Sequence, residues 1–384
     1  MRATEDGIQK DQPDALGLSR RELYRRALLA AGAALPFCNE AVLAQDVKSI
    51  ANIPLDAVRL NANENPFGPC AAALEAVRTV AAQGGRYPFR LTETFIRAMA
   101  DAEGVPTSHV LPAPGSSDPL HRAVLAFTSP TRPLVTAAPG YEAPERAARF
   151  VGAKVISVPL RKDYSHDPQA MVAADPNAGV IYVCNPNNPT GTVTLKADVE
   201  YIVANKPKGC LVLIDEAYIH YAKSAATAAP LVAAGADVIV LRTFSKIYGM
   251  AGLRAGAALG RPDLLEKLGG YAGINFLPAT GLAAAIASLE DKKVVPERRK
   301  GAADVREDLF AWLGKKKYDF IPSEANMVMI DGKKPGKQLT AAMLVEKVAV
   351  GRTWPVLPTH VRITIGTQEE MTKFKAAFEK VMNS

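Results

Sequence analysis

The sequence predicts an α/β protein: a large domain with a mostly parallel sheet between helices, joined to a smaller α+β domain. Three observations carry this. Between residues 110 and 260, short apolar runs at 133–137, 155–159, 180–184, 211–214 and 238–241 alternate with helix-like stretches. Each run is continuous or nearly so. Strands buried on both faces look like this, and they belong to parallel sheets covered by helices. Beyond residue 289 the pattern changes. A charge-rich helical stretch at 292–300 precedes runs at 318–321, 327–330 and 361–365 that read as half-exposed strands, which predicts a second, smaller unit.

In order, the chain divides into a leader at 1–44, an arm at 45–85 that completes the smaller domain, the large domain at 86–288 and the C-terminal small domain at 289–384. The leader has three zones. Residues 1–18 are polar. Ser19-Arg20-Arg21-Glu22-Leu23-Tyr24 and then Arg25 and Arg26 form a basic zone, and Ala27 to Phe37 is apolar. Val42-Leu43-Ala44 then supplies small residues at the usual cleavage position. A basic amphipathic surface helix is the plainer alternative. The paired arginines after a serine resemble the twin-arginine export signal, which implies a folded, cofactor-loaded protein in the periplasm; without export the chain stays cytoplasmic. The apolar run falls far below the ~20 residues that span a bilayer, so no stable membrane anchor is expected.

Composition narrows the function. Hydrophobic residues at 48% and charged residues at 22% exclude wholesale disorder. A net charge of +7 over 384 residues is a mild excess that suits small anionic ligands. No nucleic-acid-binding motif is visible, so no nucleic-acid partner is expected. Cys38, Cys70, Cys184 and Cys210 show no CxxC or metal-ligand spacing, so neither a disulfide framework nor a metal site is expected.

Ligands in parallel sheets bind beyond the carboxyl ends of the strands. Three such ends carry polar, turn-forming groups: Asn185-Pro186-Asn187-Asn188-Pro189-Thr190-Gly191, Asp215-Glu216-Ala217-Tyr218, and Arg242-Thr243-Phe244-Ser245-Lys246. A desolvated lysine such as Lys246 attacks aldehydes to form a Schiff base. Asp215, ending a buried strand, needs a cationic partner. Arg254 could clamp a phosphate. Ser116 and Ser117 could open a helix at Asp118-Pro119, and a helix N-terminus is an anion site. An aldehyde, a protonated ring nitrogen and a phosphate are together the features of pyridoxal 5′-phosphate.

These blocks run in a fixed order with Leu60-Asn61-Ala62-Asn63-Glu64-Asn65-Pro66, Arg86-Tyr87-Pro88, Gly115-Ser116-Ser117-Asp118 and Pro139-Gly140-Tyr141. They continue through Ala251-Gly252-Leu253-Arg254, Pro322-Ser323-Glu324-Ala325-Asn326 and Arg362-Ile363-Thr364-Ile365-Gly366-Thr367. The ordered set resembles the class I/II aminotransferases of pyridoxal-phosphate fold type I, most of all their histidinol-phosphate aminotransferase branch.

The resemblance implies roles. Lys246 would bind the cofactor aldehyde and move the Cα proton. Asp215 would pair with the ring nitrogen, Tyr218 and Asn188 with the phenolic oxygen, and Tyr141 would stack on the ring. Ser116, Ser117, Thr243, Ser245 and Arg254 would hold the phosphate. Tyr87 would reach the partner's cofactor in a homodimer with shared sites. Arg362, with Asn188, would bind the substrate's anionic group, and Arg352 stands where the branch often has a second substrate-binding arginine. Alone, each has a plainer reading: Asp215 as a helix cap, Tyr141 and Tyr218 as core, Arg362 as a surface ion pair.

Two departures matter. Ser117 replaces a usual acidic residue. Export conflicts with cytoplasmic histidine synthesis, and an arginine at 362 can take either a phosphate or a carboxylate. The expected reaction is therefore ping-pong amino transfer between an amino acid or a histidinol-phosphate-like amine and a 2-oxo acid. The alternative is a decarboxylase or lyase of the phosphothreonine decarboxylase type. A non-catalytic cofactor-binding sensor is the third reading, and no helix-turn-helix segment precedes residue 60 to support it.

Overall fold

Alternation along single strands sets the layers. The computed structural model describes residues 53–273 and 276–383. The leader at 1–44 lies outside the described residues. The strands are β1 (Val58–Leu60), β2 (Val110–Ala113), β3 (Leu134–Ala138), β4 (Val155–Pro159), β5 (Val180–Cys184) and β6 (Leu211–Asp215). They continue as β7 (Val238–Thr243), β8 (Gly256–Gly260), β9 (Phe320–Ile321), β10 (Met327–Asp331), β11 (Val348–Val350) and β12 (His360–Thr364).

A seven-stranded sheet has the order β2-β8-β7-β6-β5-β3-β4. Strands β3 to β7 pair in parallel, while β8 runs against both β7 and β2. Successive side chains of a strand point to opposite faces. On β5, Ile181 and Val183 join one apolar cluster, and Val180, Tyr182 and Cys184 join the other. Helices Ala71–Ala81, Phe89–Glu103, Lys196–Asn205 and Ala279–Glu290 cover the first face. Helices Ser117–Phe127, Ala143–Phe150 and Pro262–Gly269 cover the second. Burying each Val, Leu or Ile side chain contributes about 1.5–3 kcal/mol, so this double burial is what makes the sheet's inner runs continuously apolar; the run at 155–159, expected to be buried on both faces, is the half-exposed edge strand β4.

The smaller unit has its own core, in which Leu60, Val328, Ile330, Val361 and Ile363 pack on Leu309, Leu313, Leu339, Met343, Phe374 and Phe378. Its sheet is β12-β10-β9, antiparallel. The arm supplies β1, which pairs in parallel with β11, and then the helix Ala71–Ala81, which packs against Ala279–Glu290 of the large unit.

In the smaller unit one expectation needs correction. Of its three runs only 318–321 is half-exposed; Met327–Ile330 and Val361–Thr364 are buried throughout. One face of β10 meets the helices, and the other, through Met329, meets Trp354. The charge-rich stretch at 292–300 is helical from Val294 and opens one 23-residue helix, Val294–Lys316, whose Val294 belongs to the large unit's core and whose Leu313 belongs to the small one's. Arg362 is fully buried, so its plainer reading as a surface ion pair does not hold.

Candidate active site

The topology brings the polar strand ends to one edge. Because β5, β6 and β7 are parallel, Cys184 and Asp215 stand in register and Thr243 ends the next strand at the same edge. Strand β8 is antiparallel, so its amino end at Gly256 lies opposite both Thr243 and Ala113. That puts Arg254, just before β8, beside Ser116 and Ser117, just after β2.

A cavity of about 230 Å³ opens there. Its wall includes Ser116, Ser117, Tyr141, Asn188, Asp215, Tyr218, Thr243, Ser245, Lys246 and Arg254, and also Ala62, Glu64, Cys184, Ala217, Ala251 and Gly252. Tyr87, Arg352 and Arg362 are expected site residues that do not line it. Tyr87 is 73% exposed, its ring 5.2 Å from that of Phe276. Arg362 sits behind the wall, where Nη1 donates to Asn188 Oδ1 at 2.8 Å and Nη2 to the Asn61 carbonyl at 2.9 Å. Arg352 forks onto Glu142: Nη1 donates to Oε1 at 2.8 Å and Nη2 to Oε2.

One end of the cavity is built for an anion. The 11-residue helix Ser117–Phe127 starts there, and its first N–H groups have no partner within the helix. Arg254 Nη1 donates to Ser245 Oγ at 3.2 Å, and Thr243 Oγ1 donates to the same oxygen at 2.9 Å. Arg254 Nη2 donates to the Pro114 carbonyl at 2.7 Å. Gly115, at φ +89°, makes this approach possible, since a Cβ there would lie 2.5 Å from Arg254 Nη2. Burial pulls the Arg254 guanidinium below its ordinary value, and nearby Tyr141 acts in the opposite sense. A desolvated cation beside the Ser245 and Thr243 hydroxyls is stabilised by an incoming anion.

The middle holds the nucleophile and the acid. Lys246 Nζ lies 3.4 Å from the Ala62 carbonyl and 5.5 Å from the Tyr218 ring centroid. Asp215 is 2% exposed. Its Oδ2 accepts from the Tyr182 hydroxyl at 3.1 Å and its Oδ1 from the Ala217 amide at 3.1 Å. The Tyr218 hydroxyl accepts from Asn63 Nδ2 at 3.1 Å. The donor set fits pyridoxal phosphate on each count: an amine for the aldehyde, a buried carboxylate for the ring nitrogen, and an anion cradle for the phosphate. Among the described residues no group of His, Cys, Asp and Glu could hold a metal ion.

Sequence reasoning gave no role to Tyr182, Asn63 or Glu142. Tyr182 carried a signal, because a tyrosine inside an otherwise aliphatic buried strand needs a partner for its hydroxyl. Asn63 stood in the Leu60–Pro66 block without a role and Glu142 carried no signal, because their partners are set by chain segments distant in sequence. Arg242, within one of the site blocks, turns away from the cavity. It bonds Glu216 and Glu103, each at 2.5 Å, at 4% exposure.

Fold and site together define a pyridoxal-phosphate enzyme of fold type I. Comparison with known proteins gives the family. The family model for aminotransferase class I and II matches residues 56–378, and the chain belongs to that family. It is 33% identical to a histidinol-phosphate aminotransferase of Symbiobacterium thermophilum over 85% of this chain and 91% of the relative. Identity to histidinol-phosphate aminotransferase 1 of Nitrosococcus oceani is 35%, over 85% of this chain and 89% of that one. The solved histidinol-phosphate aminotransferase of Sinorhizobium meliloti, in complex with pyridoxal-5′-phosphate, superposes with a TM-score of 0.81 at 26% identity, covering 91% of this chain and 95% of that one. The chain is a pyridoxal-phosphate-dependent transaminase, and these likenesses do not favour the decarboxylase alternative.

Proposed function

We propose that this enzyme takes the amino group from a donor whose anionic group is held by Arg362, an amino acid or a histidinol-phosphate-like amine, and delivers it to a 2-oxo acid. The observation that carries this is the placement of Lys246 Nζ in a cavity whose wall residue Asn188 is bonded by the fully buried Arg362. When bound, pyridoxal phosphate supplies an aldehyde that accepts the amino group and a ring that takes up the electron pair left at the donor's Cα. The chain's own residues do the rest. Asp215, oriented by Tyr182 and the Ala217 amide, would hold a proton at the ring nitrogen. Tyr218 and Asn188 would bond the phenolic oxygen, and Tyr141 would cover a ring face. Ser116, Ser117, Thr243, Ser245 and Arg254 would anchor the phosphate against the helix N-terminus. Lys246 would take the proton from the donor's Cα as general base and give it back as general acid. Arg362 fixes the substrate's anion so that the Cα–H bond faces the lysine.

The test follows the amino group. With a panel of donors that includes histidinol phosphate and an added 2-oxo acid, the new amino acid should accumulate without release of carbon dioxide. Carbon dioxide in place of amino transfer would return the enzyme to the decarboxylase reading.

Two further expectations belong here. The enzyme acts as a homodimer in which Tyr87 meets the partner's cofactor phosphate, supported by the exposed aromatic group of Tyr87 and Phe89 beside Phe276. Sedimentation of the wild type should give a dimer, and Tyr87→Ala should weaken cofactor retention. The enzyme is exported through the twin-arginine route, supported by Arg20-Arg21 ahead of the apolar run from Ala27 to Phe37. Cell fractionation should find a shortened protein in the periplasm; a full-length cytoplasmic product would refute export.

A further inference from the structure

The amine of Lys246 stands against the arm, and one arginine ties the arm to the lysine's loop. Lys246 Nζ lies 3.4 Å from the carbonyl of Ala62 in the arm. That part of the arm is held on its far side by the small unit. The Asn63 amide donates to Thr364 Oγ1 at 2.9 Å, and Asn326 Nδ2 donates to the Asn63 carbonyl at 3.2 Å. Further along, the arm meets the loop that carries the lysine. Gly249 turns that loop at φ +67°, its amide donating to the Lys246 carbonyl at 3.0 Å, and a Cβ there would lie 2.1 Å from the Gly68 carbonyl. Arg298, in the first turns of the helix Val294–Lys316, bridges the two. Its Nη1 donates to the Ile247 carbonyl at 2.9 Å and its Nη2 to the Gly68 carbonyl at 2.7 Å. Asn65 Nδ2 donates to the same Ile247 carbonyl at 3.0 Å. Ile247 directly follows the lysine and is buried. One guanidinium therefore spans arm and lysine loop. It is carried by a helix whose ends lie in the cores of both units.

We infer that Arg298 is a positioning residue for Lys246, one that locks the arm to the lysine's loop and so fixes the distance between Nζ and the Ala62 carbonyl. The inference rests on the amino-transfer reading above, in which Lys246 moves the proton. Arg298 does not line the cavity, so it acts through the lysine. A carbonyl acceptor favours the protonated form of an amine, so its distance sets how readily Nζ takes up and releases a proton. The titratable groups that share the cavity wall with Lys246 are Glu64, Tyr141, Cys184, Asp215, Tyr218 and Arg254, and Arg298 bonds none of them. Burial pulls the Arg298 guanidinium below its ordinary value, and nearby Cys70, Tyr221 and Asp291 act in the opposite sense. Its two donors reach two carbonyls at once, which the point charge of a lysine does not reproduce.

The test uses the full chain loaded with cofactor and reads the pH midpoint of the cofactor's visible band beside kcat and KM. That midpoint reports the proton at Lys246 Nζ. Arg298→Met should lower it by about 0.5 pH or more and cut kcat about tenfold, with the donor's KM within about threefold of the wild type. Arg298→Lys, which keeps the charge and loses the fork, should fall between the two. Asn65→Ala removes the other donor to the Ile247 carbonyl and should move the midpoint the same way by less. It decides the question if Arg298→Met does not fold. A midpoint that stays at the wild-type value in the folded variants, or a loss of activity confined to KM, would overturn the inference while leaving amino transfer standing. A wild type that transfers no amino group from any donor would overturn the amino-transfer reading. The band needs only bound cofactor, so its midpoint would still decide whether Arg298 positions the amine.

Discussion

The Tyr182 hydroxyl donates to Asp215 Oδ2 at 3.1 Å, across two neighbouring strands and fully buried. Burial first, and then the Asp215 charge, push the Tyr182 hydroxyl well above its ordinary value, so it stays protonated and stays a donor. It fixes the direction of the Asp215 carboxylate, the group proposed to address the cofactor ring. A hydrogen bond to a charged group contributes about 1.5–3 kcal/mol. Tyr182→Phe keeps the packing and removes only the bond. We expect about a tenfold fall in kcat/KM with cofactor still bound, measured by steady-state kinetics and the visible spectrum. Unchanged kinetics would show that the Ala217 amide suffices.

Gly115→Ala tests the anion cradle. The new Cβ would sit 2.5 Å from Arg254 Nη2, on a backbone at φ +89°. Strain of this kind costs about 1–3 kcal/mol. Cofactor titration should show an affinity about tenfold weaker or worse, with amino transfer restored at high cofactor concentration.

The buried Arg242 tests structure apart from chemistry. Burial works against its charge, and Glu216 and Glu103 outweigh that and hold the guanidinium above its ordinary value. Burial raises Glu216 from the ordinary carboxylate value, and Arg242 pulls it back. Arg242→Met leaves two acids buried without their cation. Urea denaturation should show a loss of about 3–5 kcal/mol.

Acid should destabilise the enzyme through His166. Burial lowers its pKa from 6.5 to about 4, and its Nδ1 lies 2.7 Å from Thr194 Oγ1. The unfolded chain takes up the proton below pH 6.5, whereas the folded chain resists until about pH 4. Stability is therefore full above the unfolded value and falls as pH drops through that window, by about 3 kcal/mol for this group. Urea midpoints at pH 7 and pH 4.5 should differ less in His166→Gln than in the wild type.

The sheet and the strand-end site were legible because their signals are local. Continuous apolar runs mark doubly buried strands, and the polar blocks after Cys184, Ile214 and Leu241 follow them directly. Strand β8 was not legible, since Gly-Ala-Ala-Leu-Gly has little β propensity and is held by pairing to β7 and β2. Strands β10 and β12 misread as half-exposed because exposure there depends on Trp354 and on helices distant in sequence. The Glu142–Arg352 pair joins two separate units, and no spacing in the chain announces it.

The central claim is amino transfer through Lys246, and the visible spectrum tests it most directly. The full chain loaded with cofactor should show a band that bleaches on mixing with an amino donor and returns on adding a 2-oxo acid. Lys246→Ala should show neither change at a comparable rate, being slower by about a thousandfold or more, and should lose its cofactor on dialysis. A Lys246→Ala enzyme that cycles at the wild-type rate would contradict the account.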